Sequence, residues 1–141
     1  MASYVKFYDF TEQLNKGVHN WGSHTFKVAL TNSAPAQTNT ILSDITQISS
    51  GTGYTTGGTA TTITVSESTG TTTVSGTSVV FTASGSMGPF RYAVLYNDSA
   101  TSPLDALVAY WDYGSSITLA AAETFTVTFN SASPGTIFTL A

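Results

Sequence analysis

His19 and His24 bracket Trp21 in the run HNWGSH, the first place where this chain could do chemistry. Imidazoles this close raise the question of a metal. Their spacing is neither the i, i+4 pair of a helix nor a cross-strand pair, and no Cys, Asp or Glu stands beside them to complete a shell. They are read as polar residues at a helix-to-strand joint. Asp105 and Asp112 flank the aromatic run Leu107-Val108-Ala109-Tyr110-Trp111, and two acids beside aromatics are the equipment of glycoside hydrolysis. Their separation along an extended strand puts them on opposite faces, so solvated strand-end charges are expected instead. Asp98 with Asp105 is the other carboxylate pair. A hard cation wants several clustered oxygens, and no EF-hand spacing is present.

Glycine and serine motifs fare no better. Residues 51–57 read GTGYTTG, one residue too long for a dinucleotide loop and without a helix after it, so a flexible loop is predicted. Ser86, in Gly85-Ser86-Met87-Gly88, does not match the G-x-S-x-G nucleophile elbow and reads as a turn. Tyr92, Tyr96, Tyr110, Trp111 and Tyr113 could make a sugar-stacking platform. Alternation pairs Tyr92 with Tyr96, and Trp111 with Tyr113, on one side of their strands, and at least one pair is expected in the core. No catalytic residue, cofactor site or metal site is assigned, and the chain is read as non-enzymatic.

The elements that would position these residues are mostly strands. Apolar residues alternate in Phe26, Val28 and Leu30, in Ile63 and Val65, and in Val79, Phe81 and Ala83, with later runs over 90–96, 107–113, 125–129 and 137–140. Turn signals such as Ser75-Gly76, Asn97-Asp98 and Ser133-Pro134-Gly135 recur between them. Seven to ten short strands without crossover helices predict a mainly β, antiparallel sandwich, jelly-roll-like or barrel. One short N-terminal α-helix is predicted over 4–17, with Ser3 as N-cap, Gly17 as the stop, and Phe7, Phe10 and Leu14 on one face. The expected organisation is one domain over 1–141, with an arm and helix over 1–20 and a β core over 21–141. Segments 32–40 and 49–58 read as exposed contact loops.

Composition narrows the function classes. Only 9% of residues are charged against a usual ~25%, the net charge is −4, and threonine is the commonest residue. The exterior is therefore hydroxyl-rich and weakly self-repelling, suited to sitting against neighbours. Lys6, Lys16, Lys27 and Arg91 are too few and scattered for a phosphate-binding face, so no direct nucleic-acid binding is expected. There is no cysteine. MASYVKFYDF lacks an apolar signal core and no run reaches the ~20 apolar residues of a membrane span, so neither a cleaved export signal nor a membrane partner is expected.

The words HTFKVALTNSAP at 24–35, GTGYTTGG at 51–58, GPFRYAVLYND at 88–98 and AYWDYG at 109–114 resemble small virion structural proteins of tailed bacteriophages. The similar ending, 125–129 and PGTIF at 134–138, extends the resemblance over nearly the whole chain. It implies a virion location, reached by assembly in the host cytoplasm. The partners implied are the major capsid protein or other virion proteins, with self-association as a trimer by analogy with decoration proteins at three-fold positions. A capsid decoration (cement) protein is the expected role, because the chain lacks fibrous repeats or a coiled-coil stalk. A tail or fibre component recognising host glycan through Tyr96, Trp111 or Tyr113 is the alternative. The assembly contacts expected are Phe7, Phe10, Leu14, Pro35 and Tyr54.

Overall fold

The computed structural model describes residues 3–141, which form a mainly β, antiparallel, two-layered arrangement with one short α-helix. In chain order the elements are β1 (Ser3–Lys6), α1 (Asp9–Asn15), β2 (Phe26–Thr31), β3 (Thr59–Thr61), β4 (Ile63–Ser68), β5 (Thr71–Gly76) and β6 (Val79–Thr82). They continue with β7 (Met87–Asn97), β8 (Leu107–Leu119), β9 (Thr124–Val127) and β10 (Gly135–Leu140). A five-stranded sheet, β1-β8-β7-β2-β3, forms one layer. The other is split between β10-β5-β4 and the pair β6-β9. Each sheet keeps free edges, so the molecule is sandwich-like and the barrel alternative does not hold.

The main core lies between the layers. Phe26, Val28, Leu30 and Leu95 of the large sheet meet Val74, Val79, Phe81, Val127 and Ile137 of the small ones, as the period-two pattern requires. The large sheet also has a second buried face. There Phe7, Ala29, Val94, Tyr96 and Leu107 are covered by Leu42 and Ile45, from a segment with a single 3-10 turn at Leu42–Asp44. Burial on both faces explains why β2 and the central part of β7 read as nearly continuous apolar runs.

The predicted helix over 4–17 is corrected at its start. Residues Ser3–Lys6 form β1, an edge strand on β8 that sets Tyr4 opposite Trp111 and Val5 opposite Tyr110. Phe7 extends this contact by donating its N–H to the Val108 carbonyl at 3.2 Å. Aromatic and β-branched cross-strand pairs stabilise this arrangement, whereas an isolated helix of such length is marginal in water. Ser3 is thus not an N-cap; Tyr8 holds that position without a side-chain cap. The predicted stop is present. Gly17, at φ 78°, follows a Schellman motif in which its N–H bonds Leu14 O and the Val18 N–H bonds Gln13 O.

Because the chain turns at residues 7–8, Phe7 and Phe10 do not share a helical face. Phe7 is 0% exposed in the second core and Phe10 is 2% exposed in the main core, while Leu14 packs half-buried against the latter.

Candidate functional site

Four of the five expected assembly contacts are buried within the chain itself. Phe7 and Phe10 are core residues, Tyr54 is 2% exposed, and Pro35 is buried beside a small hollow with Tyr92 and Tyr110. They therefore offer no side-chain surface to a partner, and Leu14 offers only part of one.

Segment 49–58, read as an exposed contact loop with a flexible stretch over 51–57, is mostly exposed but is clamped to the body of the chain through Tyr54. Gly51 and Tyr54 exchange backbone hydrogen bonds at 2.8 and 3.1 Å, and the Tyr54 ring enters the core beside Phe81. Its hydroxyl donates to Gln47 Oε1 at 2.6 Å and accepts the Leu30 N–H at 3.2 Å, at a point of β2 beyond the residues 26–28 that pair with β3. Burial pushes this phenol up to about 12. Gln47 Oε1 also accepts the Gly57 N–H at 2.7 Å, and Tyr96 donates to the Gly57 carbonyl at 2.6 Å. The glycines serve close approach: a Cβ on Gly58 would lie 1.8 Å from Val28 O, and one on Gly53 2.2 Å from Thr82 O.

The two histidines do converge, on an amide. Asn97 Oδ1 accepts the Ser99 N–H at 2.9 Å, which turns the Asn97 NH₂ toward His19 Nδ1 at 3.2 Å and His24 Nδ1 at 3.0 Å. The Asn20 N–H also points at His24 Nδ1, at 3.3 Å. Both Nδ1 atoms therefore act as acceptors. Burial, and next the nearby His24, lower the His19 pKa to about 4. Its Nε2 and the Trp21 Nε1 are buried and find no hydrogen-bond partner among the described residues. Sequence reasoning missed this clamp because Asn97 lies far along the chain. Among the described residues no three His, Asp or Glu gather closely enough to hold a metal ion.

The carboxylates are held apart in role. Asp112 accepts Arg91 Nε at 2.8 Å and Nη2 at 3.0 Å, and also the Gly114 N–H at 2.8 Å. The Arg91 bonds first, then Gly114, hold its carboxyl below the usual range. Asp98 pairs with Lys27 at 3.1 Å, while burial, and then Asp98, raise Asp105.

A groove of about 840 Å³ lies between β9 and β10, where the second layer is split. Ala93 and Trp111 of the large sheet contribute to it, residues 125–128 and 136–139 line it from β9 and β10, and Tyr4, Arg91 and Tyr113 stand around it. Cross-strand pairing explains part of this assembly, since Tyr4 and Ala93 both pair with Trp111. The rings of Tyr4 and Trp111 meet edge to face at 5.7 Å, and those of Tyr113 and Phe125 at 5.5 Å. Of the aromatics singled out as a platform, Trp111 and Tyr113 belong to this groove. Tyr96, 1% exposed, is a core residue and presents nothing to a ligand. The chain matches no protein-family model, no curated protein and no solved structure.

Proposed function

We propose that this chain is a non-enzymatic structural protein of a tailed-bacteriophage virion, a decoration protein that binds the outer shell and holds neighbouring capsid subunits against the pressure of packaged DNA. The observation that carries this reading is the outer face of the β10-β5-β4 sheet. Its register pairs Thr64 with Ser75, Ser66 with Thr73 and Ser68 with Thr71, an array of hydroxyls without a charge among them. Such a face repels a neighbouring protein surface little and offers it both donors and acceptors. The buried Phe7, Phe10, Pro35 and Tyr54 leave this face, with the free edge of β4, as the contact surface. The resemblance in words to tailed-phage virion proteins supports the setting, and repeated weak contacts over a lattice give avidity. The partners are the major capsid protein and further copies of this chain, in a trimer.

The test is imaging of intact particles together with particles lacking the protein to which it has been added back. Density over the outer shell, with greater resistance to heat, is expected. Density confined to the tail would replace this reading with a second one, a tail or fibre module that recognises host glycan. The groove between β9 and β10 favours that second reading.

A further inference from the structure

We propose that the groove between β9 and β10 binds a neutral saccharide, with Trp111 and Tyr113 stacking on its sugar rings and Arg91 donating to its hydroxyls. The proposal rests on the glycan-recognition reading for its biological purpose, whereas its chemistry stands on the groove alone.

Three features of the groove converge on this ligand class. The first is exposed aromatic surface: Tyr113 is 54% exposed, Tyr4 39%, and Trp111 half-buried. Tyr113 packs edge to face on Phe125, and Trp111 is held between the edge-to-face Tyr4 ring and the tilted Phe129 ring at 5.3 Å, contacts that orient both rings while Trp111 stays half-buried and Tyr113 exposed. Sugar rings present flat C–H surfaces that match such rings.

Charge is the second. Arg91 is the single charged side chain among the residues lining the groove, and Asp112 neutralises it through two parallel hydrogen bonds. The site thus has no net charge to attract a phosphate, a sulfate or a cation. The same bidentate pair fixes the guanidinium in place, and its Nη1 makes no hydrogen bond within the described residues. A donor is therefore pre-oriented for a ligand oxygen, at low entropic cost.

Third, the walls carry hydroxyls and an amide, Thr126, Thr128, Asn130, Ser131 and Thr139, all exposed. Each can donate and accept, as sugar hydroxyls do. A purely apolar ligand would leave these groups unpaired, at a cost. The volume lies within the ~300–1,000 Å³ range of small-ligand sites, large enough for a short oligosaccharide.

The chain supplies its own reporter. It has two tryptophans, and Trp21 is buried in the main core. Fluorescence titration therefore reads Trp111. Glucose, galactose, rhamnose, N-acetylglucosamine and their short oligomers are to be titrated into the full chain, with saturation-transfer NMR as a second readout. Saturable binding of at least one neutral sugar is expected. Tyr113→Ala, at an exposed position, should weaken it at least tenfold with an unchanged melting temperature, and Trp111→Phe should weaken it with the fold retained. Absence of binding across the panel would overturn the proposal. So would binding that both variants leave intact, a preference for sialylated or sulfated sugars, or a response confined to a peptide of residues 63–68, which would make the groove a seat for a β-strand. Particle imaging is separate: sugar binding by a protein seen on the head would sink the tail reading alone, and no binding by one seen on the tail would sink the site alone.

Discussion

His19 shows how one buried side chain sets the pH range of a fold. Its imidazole accepts from Asn97 and packs among Phe10, Trp21 and Phe26, so the folded state needs it neutral. The folded pKa, about 4, lies below the unfolded value of 6.5. The unfolded chain therefore takes up the proton first. This contribution is complete above pH 6.5 and is lost as the pH falls through 4. Linkage gives about 2 kcal/mol between pH 7 and pH 5. Denaturant melts should show that decline, and His19→Phe should flatten it; an equal slope in both proteins would refute the assignment. Asp44 and Asp112, both held low by hydrogen bonds, lose their contributions only below the ordinary carboxylate range, so they do not confuse this window. A second residue-level test concerns Tyr54. Tyr54→Phe keeps the ring but strands the Leu30 N–H and removes one of the two donors to Gln47 Oε1, and should lower stability by about 1–3 kcal/mol in the same melts.

Among the elements, the misread N-terminal segment is the most instructive. Tyr4, Phe7, Phe10 and Leu14 fit a helical period, yet Tyr4-Val5-Lys6 also fits an edge strand, and periodicity alone cannot choose between them. The choice is made by β8, whose Trp111 and Tyr110 are remote in sequence. Phe7 and Phe10 consequently fill two cores. Phe7→Ala and Phe10→Ala should each cost about 3–5 kcal/mol, a large part of the ~5–15 kcal/mol of an ordinary domain. The double variant should show no cooperative thermal transition by circular dichroism; a folded double variant that only loses partner binding would restore the assembly role. The strands of the main core were legible because alternation and turn chemistry are local signals, as in Phe26–Thr31 and Val79–Thr82. The groove was legible only in pieces. Trp111 and Tyr113 stood out as aromatics, but Tyr4, Arg91 and Phe125 join them through pairings that no local pattern encodes.

For the whole molecule, the unguarded edges matter most. Among the described residues β4 has β5 on one side and no strand on the other, and it carries one charge, Glu67, and no proline. Edges of this kind pair with other chains unless a charge or a bulge prevents it. Pairing of β4 with a different free edge on the next copy is a head-to-tail contact, which gives a ring such as the proposed trimer where the rotation between copies closes and an open filament where it does not. Sedimentation should show association that rises with concentration, and Val65→Lys, at a position already exposed, should suppress it without lowering the melting temperature. A wild-type monomer at every concentration would refute this. The wiring of the sheets also bears on time. β1 finds its partner at residues 109–112 of β8, and β5 finds its second at β10, so neither the five-stranded nor the three-stranded sheet is complete until most of the chain is present. Loop closure on that scale must precede the contacts that reward it, which places refolding in the millisecond-to-second range typical of β-rich domains. During synthesis, β1 must wait as an unpaired strand until β8 has left the ribosome, a period in which the nascent chain depends on chaperones or on its own solubility.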